Sequence, residues 1–444
     1  MTQAIKEESL YGAALRRMQD KTDSPSWIKR LRESALERFE ETGFPTVDQE
    51  DWKYTNVAPI ARSDFAPASP AGVAEISGEA IRPYAYAESS QSSLVFVNGA
   101  YQSQFSTLAA LPEGVVVAPL SEALTGAHEP VLREYLARAI NAETDGFAAL
   151  NTAFAGQHGA FIYLPTGAQV ETPIHLLFLA TESEQPLAVF PRVLIVAERE
   201  SAATVIEDYQ TTDEAAYFTN AAVEVFVKEN ARVVHYKVQH ESDQAFHIAA
   251  THAELERSSV YDLTTITLGA RLSRHGINIK LAHEGAECWV DGLYLVGDGQ
   301  HADTHSLIDH IAPHCPSHQL YKGILDGKSR AVFNGKVFVH KDARQTDAMQ
   351  TNKNLLLSRE ARIDTKPQLE IFNDDVKCAH GATVGQLEEE ELFYLASRGL
   401  HPELARNLLT YGFAEELVEK IKIESIKKQL DEAILNRLHA RLEA

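Results

Sequence analysis

The chain has 444 residues, 44% of them apolar, 23% charged and 8% aromatic, with 24 Gly and 17 Pro, which excludes disorder, collagen and small disulfide scaffolds. Acidic residues outnumber basic ones 63 to 41, and the formal charge of −22 argues against nucleic acid or an anionic membrane as a partner. Three cysteines, Cys288, Cys315 and Cys378, suit a reducing compartment better than a disulfide framework.

The opening MTQAIKEESLYGAALRRMQD lacks the apolar run of a signal peptide, and the apolar stretch IHLLFLA at 174–180 is too short to span a bilayer. A soluble, cytoplasmic protein is expected. Ser24-Pro25 marks a helix start, and Trp27, Ile28, Leu31, Ala35, Leu36 and Phe39 recur at helical spacing until Gly43 and Pro45. Residues 60–90 have no clear period, and LVFVNGAY at 94–101 reads as a strand entering an Asn-Gly turn. Residues 1–155 therefore form a mixed, largely helical N-terminal region.

From about 158 the texture changes to short runs, FIYL, IHLLFLA, VLIVA, VEVFV and VVHYKV, that alternate apolar with polar residues and contain no helix-length segment. The turns between them resemble one another. Their central small residues are Ala203, Ala231, Ser259, Ala286, Ser329, Ala343 and Ala361; the first four are 28, 28 and 27 residues apart, and the last steps are about half that. Such a unit cannot bury its faces alone and stacks on copies of itself. The spacing predicts a right-handed parallel β-helix, a solenoid core over 156–385, with a β-sandwich or barrel of hairpins as the competing arrangement.

Past 386, EEEELFYLASR ends at Gly399, and Pro402 opens a second helix that is expected to stop at Gly412. Leu417, Ile421, Ile426, Leu430, Ile434 and Leu438 then form one apolar stripe among charges. This third helix packs on its own domain or docks a partner. Residues 386–444 are thus a C-terminal helical region.

Two phosphate-binding patterns fail on inspection. Gly323 to Ser329 has three residues between its glycines where a phosphate loop needs four, and it coincides with a recurring turn. Gly297-Asp298-Gly299-Gln300-His301-Ala302 follows a strand, but no helix follows to offer its N-terminus to a pyrophosphate. No nucleotide is expected on this chain. His301, His305, His310, His314 and His318 fall within eighteen residues, yet their spacing matches no zinc module, and satisfied or exposed histidines are the reading preferred over a transient metal site. Cys378 and His380 share one face of a strand, where thiolate and imidazole are able to address one metal or one partner, or pack as an apolar cysteine beside a hydrogen-bonded histidine.

The run FNGKVFVHKDARQTDAMQTNKNLLLS and the following DTKPQLEIFNDDVKCAHGATVGQLEEEELFYLASRGL closely resemble the SufD branch of the SufB/SufD family of iron-sulfur cluster assembly scaffolds, as do EDWKYTN at 50–56 and HADTHSLIDH at 301–310. The resemblance implies a non-enzymatic scaffold subunit that pairs with a SufB-like paralogue and binds a SufC-like ATPase, which hydrolyses the ATP. It implies that His380, with Cys378 as a less certain neighbour, lies at the interface where a transient iron-sulfur cluster is built and shared with SufB, His380 serving as an iron ligand. It assigns ATPase docking to the helices from Leu392 to Leu409, with Leu392, Tyr394, Leu395, Arg398 and Gly399 on that surface. A reduced flavin is associated with such complexes, although no residue here identifies its site, and a homodimer is the alternative assembly for the isolated chain. The competing function is a β-helix enzyme acting on polysaccharide, which sits poorly with three tryptophans, two of them outside the solenoid.

Overall fold

The computed structural model describes residues 9–21, 24–69 and 76–439. Alternating runs that lack helices between them can satisfy their backbone only by pairing with the next repeat. The chain accordingly winds into a parallel β-solenoid of about eight turns, flanked by helices at both ends of the sequence.

Each turn contributes one strand to each of two sheets. Sheet 1 runs 116–119, 160–164, 192–197, 218–227, 246–255, 272–281, 301–310, 330–339 and 362–371; sheet 2 runs 92–97, 174–180, 202–211, 232–240, 260–267, 287–296, 316–325, 346–356 and 376–385. Pairing within the solenoid is parallel and one repeat apart, as in Phe246↔Leu272 and Gln350↔His380. Among the described residues antiparallel strands occur only at its N-terminal end, where 116–119 pairs with 160–164 and the predicted turn joins 92–97 to 100–101 through Asn98 and Gly99, both at positive φ.

The corner leading from sheet 1 to sheet 2 explains the repeating turns. A small buried residue fills six successive corners: Ser201, Ala231, Ser259, Ala286, Cys315 and Ala343, at steps of 30, 28, 27, 29 and 28 residues. In five of the six the preceding residue (Glu200, Asn230, Ser258, Gly285 or His314) is left-handed, and its N–H bonds to a carbonyl of the next corner. Two sequence assignments are corrected here. Ala203 lies inside a strand and Ser201 holds the corner, whereas Ser329 and Ala361 belong to the opposite corner, which is why the later steps appeared halved.

The helices cover both outer faces. Ser26–Thr42, capped by Gly43 at φ 65°, packs with Gly146–Ala153. Phe39, Phe147 and Phe154 lie in one core with Phe218, Phe246 and Leu272 of sheet 1. At the C-terminus, Pro402–Val418 runs straight through Gly412 instead of stopping there. A mid-helix glycine costs about 1 kcal/mol, and that is outweighed by the burial of Ala414, Leu417 and Val418. Together with Ile421, Ile426, Leu430 and Ile434, these cover Tyr236, Val238, Ile266, Leu293 and Ile324 on the outer face of sheet 2. The stripe therefore packs on its own domain; the side chain of Leu438 lies outside the described residues.

Because helices cover sheet 2 from outside, its outward face is apolar as well. In 232–240, Tyr236 and Val238 point outward under the helices, while His235 and Lys237 point into the solenoid. Part of the interior of the second to fifth turns is polar, beside the apolar Val205, Val233 and Leu263. Lys237 Nζ lies 2.8 Å from His247 Nε2 and 4.1 Å over the Tyr209 ring; His247 Nδ1 lies 2.7 Å from Glu241, and His235 Nε2 lies 3.1 Å from Glu207. Burial alone would raise Glu207, but Lys237 and His235 outweigh it and hold that carboxyl down at about 2.

Candidate functional site

The two ends of the solenoid differ. The N-terminal end is closed by antiparallel strands and the N-terminal region, whereas at the C-terminal end strands 362–371 and 376–385 each pair on one side only, with 330–339 and 346–356. An edge strand with free N–H and C=O groups is a template for another chain. Apolar side chains stand exposed around this end: Met349, Ile371, Phe372 and Val384.

Strand 376–385 carries Cys378 and His380, whose side chains share the inward-facing side of sheet 2. His380 is the last member of a column that runs His235, Leu263, Val290, Gln319, Gln350, His380 through successive turns. Every earlier member is covered by the turn after it. His380 has none and is exposed. Beneath it, Gln350 Nε2 donates to Gln319 Oε1 at 2.8 Å, and Gln350 Oε1 is buried without a partner. Cys378 is tucked further in, half-buried against the cluster of Val337, Val339 and Ala348, and burial raises its thiol above the ordinary value.

Strand geometry separates the two residues by about 7 Å along the chain, so both can address one partner or one metal. Their donor set, one thiol and one imidazole, suits iron. Among the described residues no three His, Cys, Asp or Glu are grouped to hold an ion. Cys378 and His380 therefore supply at most half of a four-ligand centre.

The remaining sequence candidates are dispersed. Cys288 is buried in the interior and Cys315 fills a corner; burial raises both thiols, that of Cys315 to about 11, so neither is a ready thiolate. The five clustered histidines point to different surfaces. His301 and His305 are outward on sheet 1, His310 is buried inside with Nε2 2.9 Å from Ser317 Oγ, His314 is the left-handed residue of a corner, and His318 stacks on Trp289 at 4.1 Å. The two loop-like glycine patterns are a strand end with a corner, 316–325 into 326–329, and a corner entering strand 301–310.

A group that sequence reasoning missed joins two distant segments. Thr55 Oγ1 lies 3.0 Å from His301 Nε2 and donates to Asp303 Oδ2 at 2.5 Å; Arg274 pairs with Asp303 and lies 3.9 Å from the Trp52 ring centre. EDWKYTN thus clamps the N-terminal region onto the HADTH strand. Neither segment alone announces this pairing, since the contact spans some 250 residues.

The second candidate surface is the helix Glu389–Ser397. Leu392 and Leu395 are half-buried, Tyr394 is exposed with Arg398 5.2 Å from its ring, and Gly399 ends the helix at φ 92°. Phe393, 76% exposed, is the largest apolar group offered here, and Leu404 and Leu408 on the next helix are also exposed. These three were not singled out from the sequence because helix patterning does not reveal which apolar face lacks a cover.

Comparison with known proteins follows the same division. Residues 178–413 match the family described as "SUF system FeS cluster assembly, SufBD core domain", and residues 4–176 match "SufBD protein N-terminal region". An iron-sulfur cluster assembly SufBD family protein of Synechocystis is 35% identical, over 97% of this chain and 94% of that protein. The iron-sulfur cluster assembly protein SufD of Escherichia coli is 34% identical over 92% of this chain and 91% of its own length, and the SufD of Bacillus subtilis is 28% identical over 94% and 95%.

Proposed function

Because this chain belongs to the SufBD family of iron-sulfur cluster assembly proteins, we propose that it is a non-catalytic scaffold subunit that pairs with a SufB-like paralogue and binds a SufC-like ATPase. Clusters are built where the two solenoids meet. His380 serves there as an iron ligand and Cys378 as its neighbour, with the cluster as cargo shared with the paralogue. ATP is hydrolysed by the partner, and any flavin belongs to the complex. The working division is 1–155 as N-terminal region, 156–385 as core and 386–444 as docking region, in the cytoplasm. Among the described residues no helix is long and apolar enough to cross a membrane.

The observation that carries this reading is the unequal pair of solenoid ends. His380 is the exposed final member of a column otherwise buried, on a strand with a free edge. On the co-expressed complex, His380→Ala should lower reconstituted iron and sulfide several-fold under anaerobic conditions while the subunits still co-elute. Unchanged cluster content would leave the chemistry wholly to the paralogue. ATPase docking rests on Glu389–Ser397 and the exposed Phe393, Tyr394, Leu404 and Leu408 beside it. Leu395→Asp should abolish co-purification of the ATPase from a scaffold of unchanged circular dichroism; retained binding would move docking elsewhere.

A further inference from the structure

We infer that the N-terminal end of the solenoid holds a binding site for a small organic carboxylate, with Arg32 as its anchor. Three arginines are buried among the described residues: Arg32, Arg192 and Arg274. Two of them are neutralised, Arg192 by Glu224 at 2.7 Å and Arg274 by Asp303. Arg32, 2% exposed, is not neutralised by any described residue. Its Nε donates to the Ala155 carbonyl at 2.8 Å and its Nη1 to Ser24 Oγ at 3.1 Å, and no carboxylate of the described residues pairs with it. Burial pulls this guanidinium below its ordinary value, to about 10, which leaves it charged at neutral pH. An unpaired buried charge is expensive, and such cations occur where a counter-ion is bound.

Arg32 lines a pocket of about 470 Å³, within the size range of small-molecule sites. Gly156, at φ 83°, makes the room: a Cβ there would overlap Leu124 and lie 3.1 Å from Arg32 Nη2. A second group points to a ligand independently. Gln157 also lines this pocket; it donates through Nε2 to the Ala68 carbonyl at 2.9 Å, while its Oε1 is buried without a partner among the described residues. The walls between are Met18, Phe96 and Leu124. One cation, one acceptor and an apolar wall fit a monoanion with an apolar body and a hydrogen-bond donor. The planar guanidinium fork matches a carboxylate better than it matches a spherical ion.

The test is calorimetric titration of the full-length chain with 4-hydroxybenzoate, its neutral analogue 4-hydroxybenzyl alcohol, and inorganic phosphate. Saturable binding of the benzoate, at least tenfold tighter than either comparator, is expected. Arg32→Gln should remove it. Since that variant also loses two internal hydrogen bonds, Ser121→Trp serves as the second variant; Ser121 is an exposed residue of the rim, and its substitution should block the pocket without lowering the melting temperature. Equal affinity for the alcohol, tighter binding of phosphate, no saturable binding of the benzoate, or full binding by a folded Ser121→Trp would each overturn the assignment.

Discussion

His310 is a neutral imidazole kept inside the solenoid, where burial pushes its pKa down from 6.5 to about 4. Between those two values the unfolded chain binds a proton that the folded chain refuses, so stability rises with pH across this window and is lost as pH falls through it. The linked term is about 3 kcal/mol. His310→Gln keeps a polar atom for Ser317 and removes the titration. Urea denaturation at pH 7 and pH 4 should show the wild type losing about 3 kcal/mol more than the variant; parallel losses would mean that His310 titrates normally. His158, also held near 4 by burial, contributes equally to both proteins and cancels from the comparison. Residue roles of this kind were only partly legible. The proximity of five histidines was visible in sequence, but their separate directions depend on a corner at His314 and on which strand face lies inward. Lys237 and Glu207 gave no sequence signal at all, because alternation marks two faces without saying that helices cover the outer one.

Within single elements, the inward glycines of sheet 2 show how much one methyl group decides. Gly292 lies between Thr265 and Tyr321 in the interior columns, and Thr265 Oγ1 and Tyr321 Oη meet across it at 3.0 Å. A Cβ there would overlap the Tyr321 ring and sit 2.5 Å from Thr265 Oγ1. Both neighbours are buried and cannot swing into solvent. Gly292→Ala should therefore cost about 1–3 kcal/mol, read as a lower urea midpoint with an unchanged slope; a neutral result would show that the Tyr321 ring has an alternative rotamer. The contrast with Gly412 is instructive. There the glycine lies in an exposed stretch of helix where an added Cβ would meet nothing within 4 Å beyond its own helix, and flanking burial carries the helix through it. Sequence marks a glycine as a breaker in both places, and only the surroundings separate a required gap from a tolerated weakness. Element existence was legible where the period was strong, as in the helix from Trp27 to Phe39 and the run of strands. Element ends and corner assignment were not, since Ser201 and Cys315 do the same work as alanine.

At the scale of the molecule, the asymmetry of the ends governs association. A parallel solenoid exposes a row of unpaired backbone groups wherever its stacking stops. Here the N-terminal row is covered and the C-terminal row is not, and Val384, 49% exposed, extends the inward column of Asn354 at that end. Strand 376–385 is short of charge between Ala379 and Gly385 and carries no proline, features that favour pairing with another strand. The isolated chain should accordingly self-associate through this edge, two copies meeting about a two-fold axis in place of the scaffold and paralogue proposed above. Val384→Lys places a charge on the edge, a substitution that natural sheets use to block such pairing. Sedimentation velocity at micromolar concentration should show the wild type shifting toward dimer and the variant remaining monomeric, with equal melting temperatures. A variant that dimerises as well as the wild type would locate self-association elsewhere. A variant that is monomeric alone yet still captures the paralogue would show that the cognate interface draws on contacts beyond this strand, which the exposed Phe372 and Met349 on neighbouring strands are placed to provide.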